Sequence, residues 1–405
     1  MTENAMSIGG VDLADPRTYE AGMPFDAFRE LRQRAPVAWH PHGDGLGFLA
    51  LTGYDDILAV SRDSATWSSQ ETGVFFDDPP PENAYQLALV LLTMDPPRHT
   101  ALRALVSKGF TPRQVARLNE HIAHMARQIV DDVVERGECD FVSDVAGAMP
   151  SYVIAELLGI PLEDGRRLYE LTETMNTGLI DASVEQAQMQ MFEYATALAE
   201  RKRAHPGDDI ATALLKAEVD GQRLTDLEFN LFFMLLINAG GDTTRNLVAA
   251  GTLALMEHPD EAARLASEPA LLPTAVEEML RYVSPVTVFT RTATKDTEVR
   301  GTPVKQGGRV AMFYPSANRD ETRFPDADRF DIARDPNPHL AFGGGGTHFC
   351  LGANRARLEA AAIVPEVLAR MKGLELAGPV TRVRSALMNG IKSMPVRFTP
   401  ATSSA

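Results

Sequence analysis

Along the middle of the chain, apolar residues recur at steps of three and four. Val115, Leu118, Ile122, Met125, Ile129 and Val133 make one stripe that ends near Gly137. Ahead of it, Thr111-Pro112-Arg113-Gln114 has the form of a capping box with proline at the first helical position. A second capping box, Thr225-Asp226-Leu227-Glu228, opens a stretch that runs to about Met256, on the order of 30 residues and so roughly 45 Å of helix. This stretch is apolar nearly all round at residues 231–237, so the helix is expected to cross the centre of the protein. Residues 353–370 pattern as an amphipathic helix, kinked or interrupted at Pro365. Strand signals are short and lie toward the ends. Residues 37–40 and 47–52 pair as one hairpin, and 298–304 with 309–314 as another around Lys305-Gln306-Gly307-Gly308. The pattern predicts a mostly helical α+β fold with small antiparallel sheets.

A length of 405 residues allows two or three domains. No repeat and no Gly/Ser linker divides the chain, and the proline clusters at 77–81 and 335–338 are loops within a domain. A single domain over 1–405 is expected, ordered over about 24–400 with short loose tails. The formal net charge of −16 argues against nucleic acid or an anionic membrane as the main partner. The two cysteines, Cys139 and Cys350, exclude a disulfide-built scaffold and any cysteine-only metal cage. The first residues lack the basic start and apolar core of a secretory signal, and the densest apolar run is far short of the ~20 residues of a membrane span. The expected location is the cytoplasm.

Three constellations carry candidate chemistry. Phe342-Gly343-Gly344-Gly345-Gly346-Thr347-His348-Phe349-Cys350-Leu351-Gly352 strips side chains from a loop, which suits a backbone lying flat against something large. Cys350 falls at or just before a helix N-terminus, where the dipole favours a thiolate, although a small buried hydrophobe fits the same place. In the long helix, Ala239-Gly240-Gly241-Asp242-Thr243-Thr244 places two glycines and then polar residues in the least polar part of the chain. A flat ligand at the backbone, with a Thr243-induced bulge holding water, and a plain close helix crossing are equally compatible with it. Glu278 and Arg281 stand at i, i+3 among apolar flanks, with Arg329 a candidate third member if the pair is buried. His99, Arg103, Arg291 and His348 lie beside apolar or glycine-rich sequence and jointly could neutralise two carboxylates of a cofactor.

In this order and over residues from about 24 to 400, these elements resemble the cytochrome P450 family of haem-thiolate monooxygenases, in its soluble bacterial form. The family's cysteine loop matches 342–352, its Ala/Gly-Gly-x-Asp/Glu-Thr pattern 239–243, its Glu-x-x-Arg pair Glu278 and Arg281 with Arg329, and its His-x-x-x-Arg element His99 and Arg103. Two departures stand out. Phe342 precedes Cys350 by eight residues rather than seven because of an extra glycine, and Arg355 stands where the family more often has an apolar residue. Arg355 is either exposed on the proximal face or bends its helix.

The resemblance implies a single P450 domain that encloses haem b, iron protoporphyrin IX, between the long distal helix and the proximal cysteine loop. It makes Cys350 the axial iron ligand, with Phe342, Gly343 and Gly352 around it, and gives the propionates to His99, Arg103, Arg291 and His348. Phe110 packs on the ring, Ala239 and Gly240 leave room for O2, and Asp242 and Thr243 organise its protonation, while Glu278, Arg281 and Arg329 are structural. Electrons come from NAD(P)H only indirectly, through a ferredoxin or flavodoxin on the proximal face, with Arg103, Lys108, Arg113, Arg355 and Arg357 as candidate contacts on a monomer. A lipophilic substrate, a steroid, terpenoid or branched lipid, is expected among Leu235, Asn238, Val286, Val288 and Phe289, beside mobile segments at 70–93, 172–191 and 286–289. Two rivals remain: an H2O2-using peroxygenase, and a non-catalytic haem-thiolate binding or sensor protein.

Overall fold

The computed structural model describes residues 4–43, 47–78, 81–108, 112–175, 182–219 and 222–400; for 7, 81–82, 106–108, 112–118, 219 and 222 the description stops at the backbone. Phe110 and the Thr111 cap lie outside the described residues, as do the side chains of Lys108, Arg113, Val115 and Leu118. The chain divides into two compact units interleaved in sequence. Residues 1–100, 277–351 and 382–389 form the first, and 101–276, 352–381 and 390–405 the second.

The first unit is built on a five-stranded sheet in the order Val37–His40, Phe48–Leu51, Arg309–Phe313, Val288–Ala293, Trp67–Ser68. The first two strands pair antiparallel as the sequence predicts, with Val37 opposite Leu51. The second expected hairpin does not form. Thr297–Val299 turns back on Thr302–Val304 through Arg300 and Gly301, both at positive φ, and Arg309–Phe313 goes elsewhere. That strand pairs parallel with Phe48–Leu51 and antiparallel with Val288–Ala293. The reason is burial on both faces. Val310 and Met312 pack on one side with Ile57 and Val60 of helix Tyr54–Arg62, while Ala311 and Phe313 pack on the other with Phe28 and Leu31 of helix Phe25–Arg34. A strand so placed gains about 1.5–3 kcal/mol for each large side chain removed from water, which an edge hairpin cannot supply.

The second unit is mainly helical. The long helix spans Asp226–Glu257, and both halves of its capping box are present: the Thr225 N–H donates to Glu228 Oε2 at 2.8 Å, and the Glu228 N–H to Thr225 Oγ1 at 3.2 Å. Phe229, Phe232, Phe233, Ile237, Leu247 and Val248 are buried around much of its circumference. Within the unit it packs against Ala148–Leu158, Leu162–Met175, Ala182–Ala204 and Ala353–Arg370, so its all-round apolar character is used. Helix Pro112–Val134 presents Ile122, Ile129 and Val133 to the interior. Helix Ala353–Arg370 runs through Pro365 without interruption. Strand Pro395–Thr399 lies between Lys372–Leu376 and Glu138–Asp140, antiparallel to both. No helix among the described residues is long and apolar enough to cross a membrane.

Candidate active site

In the first unit the cysteine loop crosses from Phe342 to Cys350 without helix or strand, closed by a 3.0 Å hydrogen bond from the Cys350 N–H to the Phe342 carbonyl. Gly343, Gly345 and Gly346 have φ of 84°, 86° and 73°, where a side chain would be strained. A Cβ on Gly344 would fall 2.8 Å from Ser61 Cβ, and one on Gly346 2.6 Å from the Ser61 carbonyl oxygen. Arg62 Nε donates to the Gly344 carbonyl at 3.1 Å. Part of the flatness expected to serve a large ligand thus serves the end of helix Tyr54–Arg62. The extra glycine is accommodated with the Phe342 and Phe349 rings 6.3 Å apart, edge to face. Cys350 itself is exposed.

The same unit gathers three of the four expected basic groups. Ser68 faces Thr292 across the sheet, and Ser69 Oγ lies 3.1 Å from His348 Nε2. The His348 and buried His99 rings are 4.3 Å apart. Arg291, next to Thr292, is buried, and its Nη1 donates to the carbonyl of Thr290 at 2.7 Å. Burial holds its pKa below the usual arginine range, and among the described residues no carboxylate comes within ion-pair distance of it. A buried guanidinium that feels Asp95 only from beyond ion-pair distance, in the same unit as two imidazoles in ring contact, fits a carboxylate-bearing group such as haem.

Glu278 and Arg281 are fully buried and joined by two 2.8 Å hydrogen bonds. Arg281 also donates to the carbonyls of Asn318, Ala327 and Arg329 at 2.7–3.0 Å. Arg329 takes part through that carbonyl alone, and its side chain is exposed. The third charged side chain is Arg334, whose Nε is 3.2 Å from Glu278 Oε2, with Asn337 Nδ2 donating to the same oxygen at 3.1 Å.

In the second unit the 239–243 segment lies in unbroken helix. Thr243 Oγ1 donates to the Ala239 carbonyl at 2.9 Å, the expected back-bond, but no bulge opens. Asp242 is buried and its Oδ1 lies 3.2 Å from Arg245 Nη2. Arg245 also donates to the Tyr169 hydroxyl at 2.8 Å and pairs with Glu173. The i, i+3 spacing of Asp242 and Arg245 was visible in the sequence; Tyr169 and Glu173 come from another helix and were not. Gly240 does not leave open space. A Cβ there would lie 2.5 Å from Arg355 Nη2 and 2.8 Å from Ile154 Cδ1, whereas Ala239 is exposed. Arg355 is therefore neither a proximal surface contact nor a source of helix bending. It turns inward, donating to the Gly240 carbonyl at 3.2 Å, with Nε 3.0 Å from Oε1 of the fully buried Glu359. Arg103 is half-buried in helix Arg98–Lys108, Arg357 is half-buried, and Gly352 caps helix Ala353–Arg370.

The expected substrate residues divide. Val288 and Phe289 are paired in register with Phe313 and Met312 within strand Val288–Ala293, and Val286 forms an isolated bridge to Met388. Val288 belongs to the core with Phe28 and Phe313. Leu235 and Asn238 are half-buried, the Asn238 amide donating to the Met234 carbonyl at 3.0 Å. Of the segment 70–93, Val74 is buried and Phe76 stacks on Phe48 at 4.8 Å, while Phe75 and Tyr85 are exposed. Cys139 is half-buried in strand Glu138–Asp140, where burial above all, with Asp144 adding to it, pushes its thiol up to about 12.

Residues 177–377 match the family model described as Cytochrome P450. A steroid C26-monooxygenase of Rhodococcus jostii is 40% identical over 97% of this chain and 86% of its own length. A methyl-branched lipid omega-hydroxylase of Mycobacterium tuberculosis is 40% identical over 92% and 90%. A cytochrome P450 of Mycobacterium marinum, solved in complex with pseudoionone, superposes with a TM-score of 0.88 at 38% identity, covering 98% of this chain and 97% of the other. With near-complete coverage at this identity, and with the cysteine loop, the buried Glu-x-x-Arg pair and the glycine-rich long helix all in place, the chain belongs to the cytochrome P450 family of monooxygenases.

Proposed function

We propose that this chain, as one P450 domain over residues 1–405, binds haem b through Cys350 and hydroxylates the terminal carbon of a methyl-branched aliphatic chain, on a steroid side chain or a branched lipid. The observation that carries the substrate class is shared by two relatives: one is named for a steroid's C26 and the other for the omega position of methyl-branched lipids. Both names denote the end of a branched chain. When bound, the haem supplies O2 activation with two electrons delivered by a ferredoxin or flavodoxin, and the thiolate's electron donation favours O–O cleavage. The protein's own part is positioning. Arg291, His99 and His348, with Arg103, bind the propionates. Thr243 holds a hydroxyl at the Ala239 carbonyl, and together with Asp242, held by Arg245, it organises the water that delivers protons on the distal side. The exposed Ala239 methyl keeps that face of the helix apolar.

The test has two stages. The reduced holoenzyme under CO should show the red-shifted Soret band of thiolate ligation, and Cys350→Ala should lose it. A sterol with an intact side chain and a methyl-branched fatty acid should then give a low-to-high spin shift and, with a surrogate ferredoxin and its reductase, a terminal alcohol. Retention of the band in Cys350→Ala refutes the ligand assignment. Stronger binding of straight-chain acids, or faster turnover with H2O2 than with ferredoxin, refutes the substrate class or the oxidant.

A further inference from the structure

Arg355 is the one motif departure that ends inside the molecule. Its side chain leaves helix Ala353–Arg370 five residues after Cys350 and reaches the middle of the long helix, where Nη2 donates to the Gly240 carbonyl at 3.2 Å. One turn further along its own helix, Glu359 is fully buried, and its Oε1 lies 3.0 Å from Arg355 Nε. The head group takes the space that a side chain at 240 would need, since a Cβ there would approach Nη2 to 2.5 Å. Two consecutive carbonyls of the distal segment therefore each have a donor beyond the helix ladder: Ala239 has the Thr243 hydroxyl and Gly240 has Arg355. A guanidinium is donor-only and stays charged, so it holds a carbonyl without entering proton traffic. An apolar residue at 355 would leave the Gly240 carbonyl to the ladder or to water.

We infer that Arg355 is a positioning residue: anchored by Glu359, it fixes the Gly240 peptide from the helix that follows the cysteine loop, and so sets the geometry of the Asp242–Thr243 turn on which efficient use of O2 depends. The inference rests on the monooxygenase reading above.

The experiment compares holoenzyme of the wild type, Arg355→Leu, Arg355→Lys and the double variant Arg355→Leu/Glu359→Gln, which leaves no carboxylate buried alone. Amide hydrogen exchange over residues 240–245 is measured together with product formed per NADH consumed, using a methyl-branched fatty acid and a surrogate ferredoxin system. Arg355→Leu should keep the red-shifted CO band, exchange in 240–245 should rise at least tenfold, and product per NADH should fall several-fold as peroxide rises. Arg355→Lys should recover part of both. If Arg355→Leu does not accumulate, the double variant carries the same comparison. Unchanged exchange and unchanged coupling in a folded, haem-loaded variant overturn the inference. Absence of the CO band from the wild type overturns the monooxygenase reading instead, and the exchange comparison still decides the role of Arg355.

Discussion

Arg291 shows how one side chain can be costly in one state and useful in another. It is buried in the centre of a strand, with its guanidinium desolvated and no carboxylate at ion-pair distance among the described residues. Such a group costs stability until an anion arrives. Arg291→Met should therefore leave the thermal unfolding midpoint of the haem-free protein unchanged or raised. In the holoprotein a lost charge-assisted hydrogen bond costs about 1.5–3 kcal/mol, so haem transfer to apomyoglobin should run on the order of ten- to a hundredfold faster. A lower midpoint in the haem-free variant would instead make Arg291 a structural residue. The sequence marked Arg291 only as a basic residue beside apolar ones. Its burial depends on the strand Val288–Ala293, which the sequence did not announce because Thr290, Arg291 and Thr292 break the apolar run.

At the scale of elements, the buried carboxylates separate two kinds of pairing. Glu278 is satisfied by Arg281, Arg334, Asn337 and the N–H of Asp331, all within one unit. Removing one partner strands the rest, so Arg281→Met should lower the free energy of unfolding by about 3–5 kcal/mol, read from urea midpoints. Glu359 has fewer partners, and burial, opposed in part by Arg355, raises its carboxyl to about 7 from 4.5. Below pH about 4.5 the acid is protonated folded or unfolded; between there and about 7 only the folded chain keeps the proton. Stability therefore falls as pH rises through that window, by about 3 kcal/mol at most, and Glu359→Gln should flatten the profile. A wild-type profile parallel to that of Glu359→Gln would count against a protonated Glu359. The long helix was legible because its signals are local, a capping box and a continuous apolar stretch. The second hairpin was misread because pairing is not local: the turn at Arg300-Gly301 is tighter than the one at 305–308, and the central place in the sheet rewards Arg309–Phe313 more than a hairpin does. Arg334 was missed in favour of Arg329 for a similar reason, since spacing in an irregular segment does not say which side chain turns inward.

For the whole molecule, each unit is assembled from three separate stretches of chain, so neither can be cut out as a contiguous piece. Strand Pro395–Thr399 joins residues some 250 positions away, with Val396 opposite Cys139 and its own Val396 and Phe398 buried. A chain stopped after Gly390 loses the central strand of that sheet and should fail to accumulate as soluble protein; a soluble, haem-binding product would show the second unit to be closed without it. The motif order over residues 99–352 was enough to indicate the family, because several weak signals in sequence constrain one another. Which residues line a substrate site was not legible, since apolar core and apolar pocket have the same composition, and Val288 proved to be core. The two cysteines have one last consequence. Strand pairing and burial keep Cys139 protonated at any ordinary pH, whereas Cys350 is exposed. A maleimide added to native protein should thus modify close to one thiol per chain when haem is absent and none when the ligand position is filled, making thiol titration a direct count of cofactor occupancy.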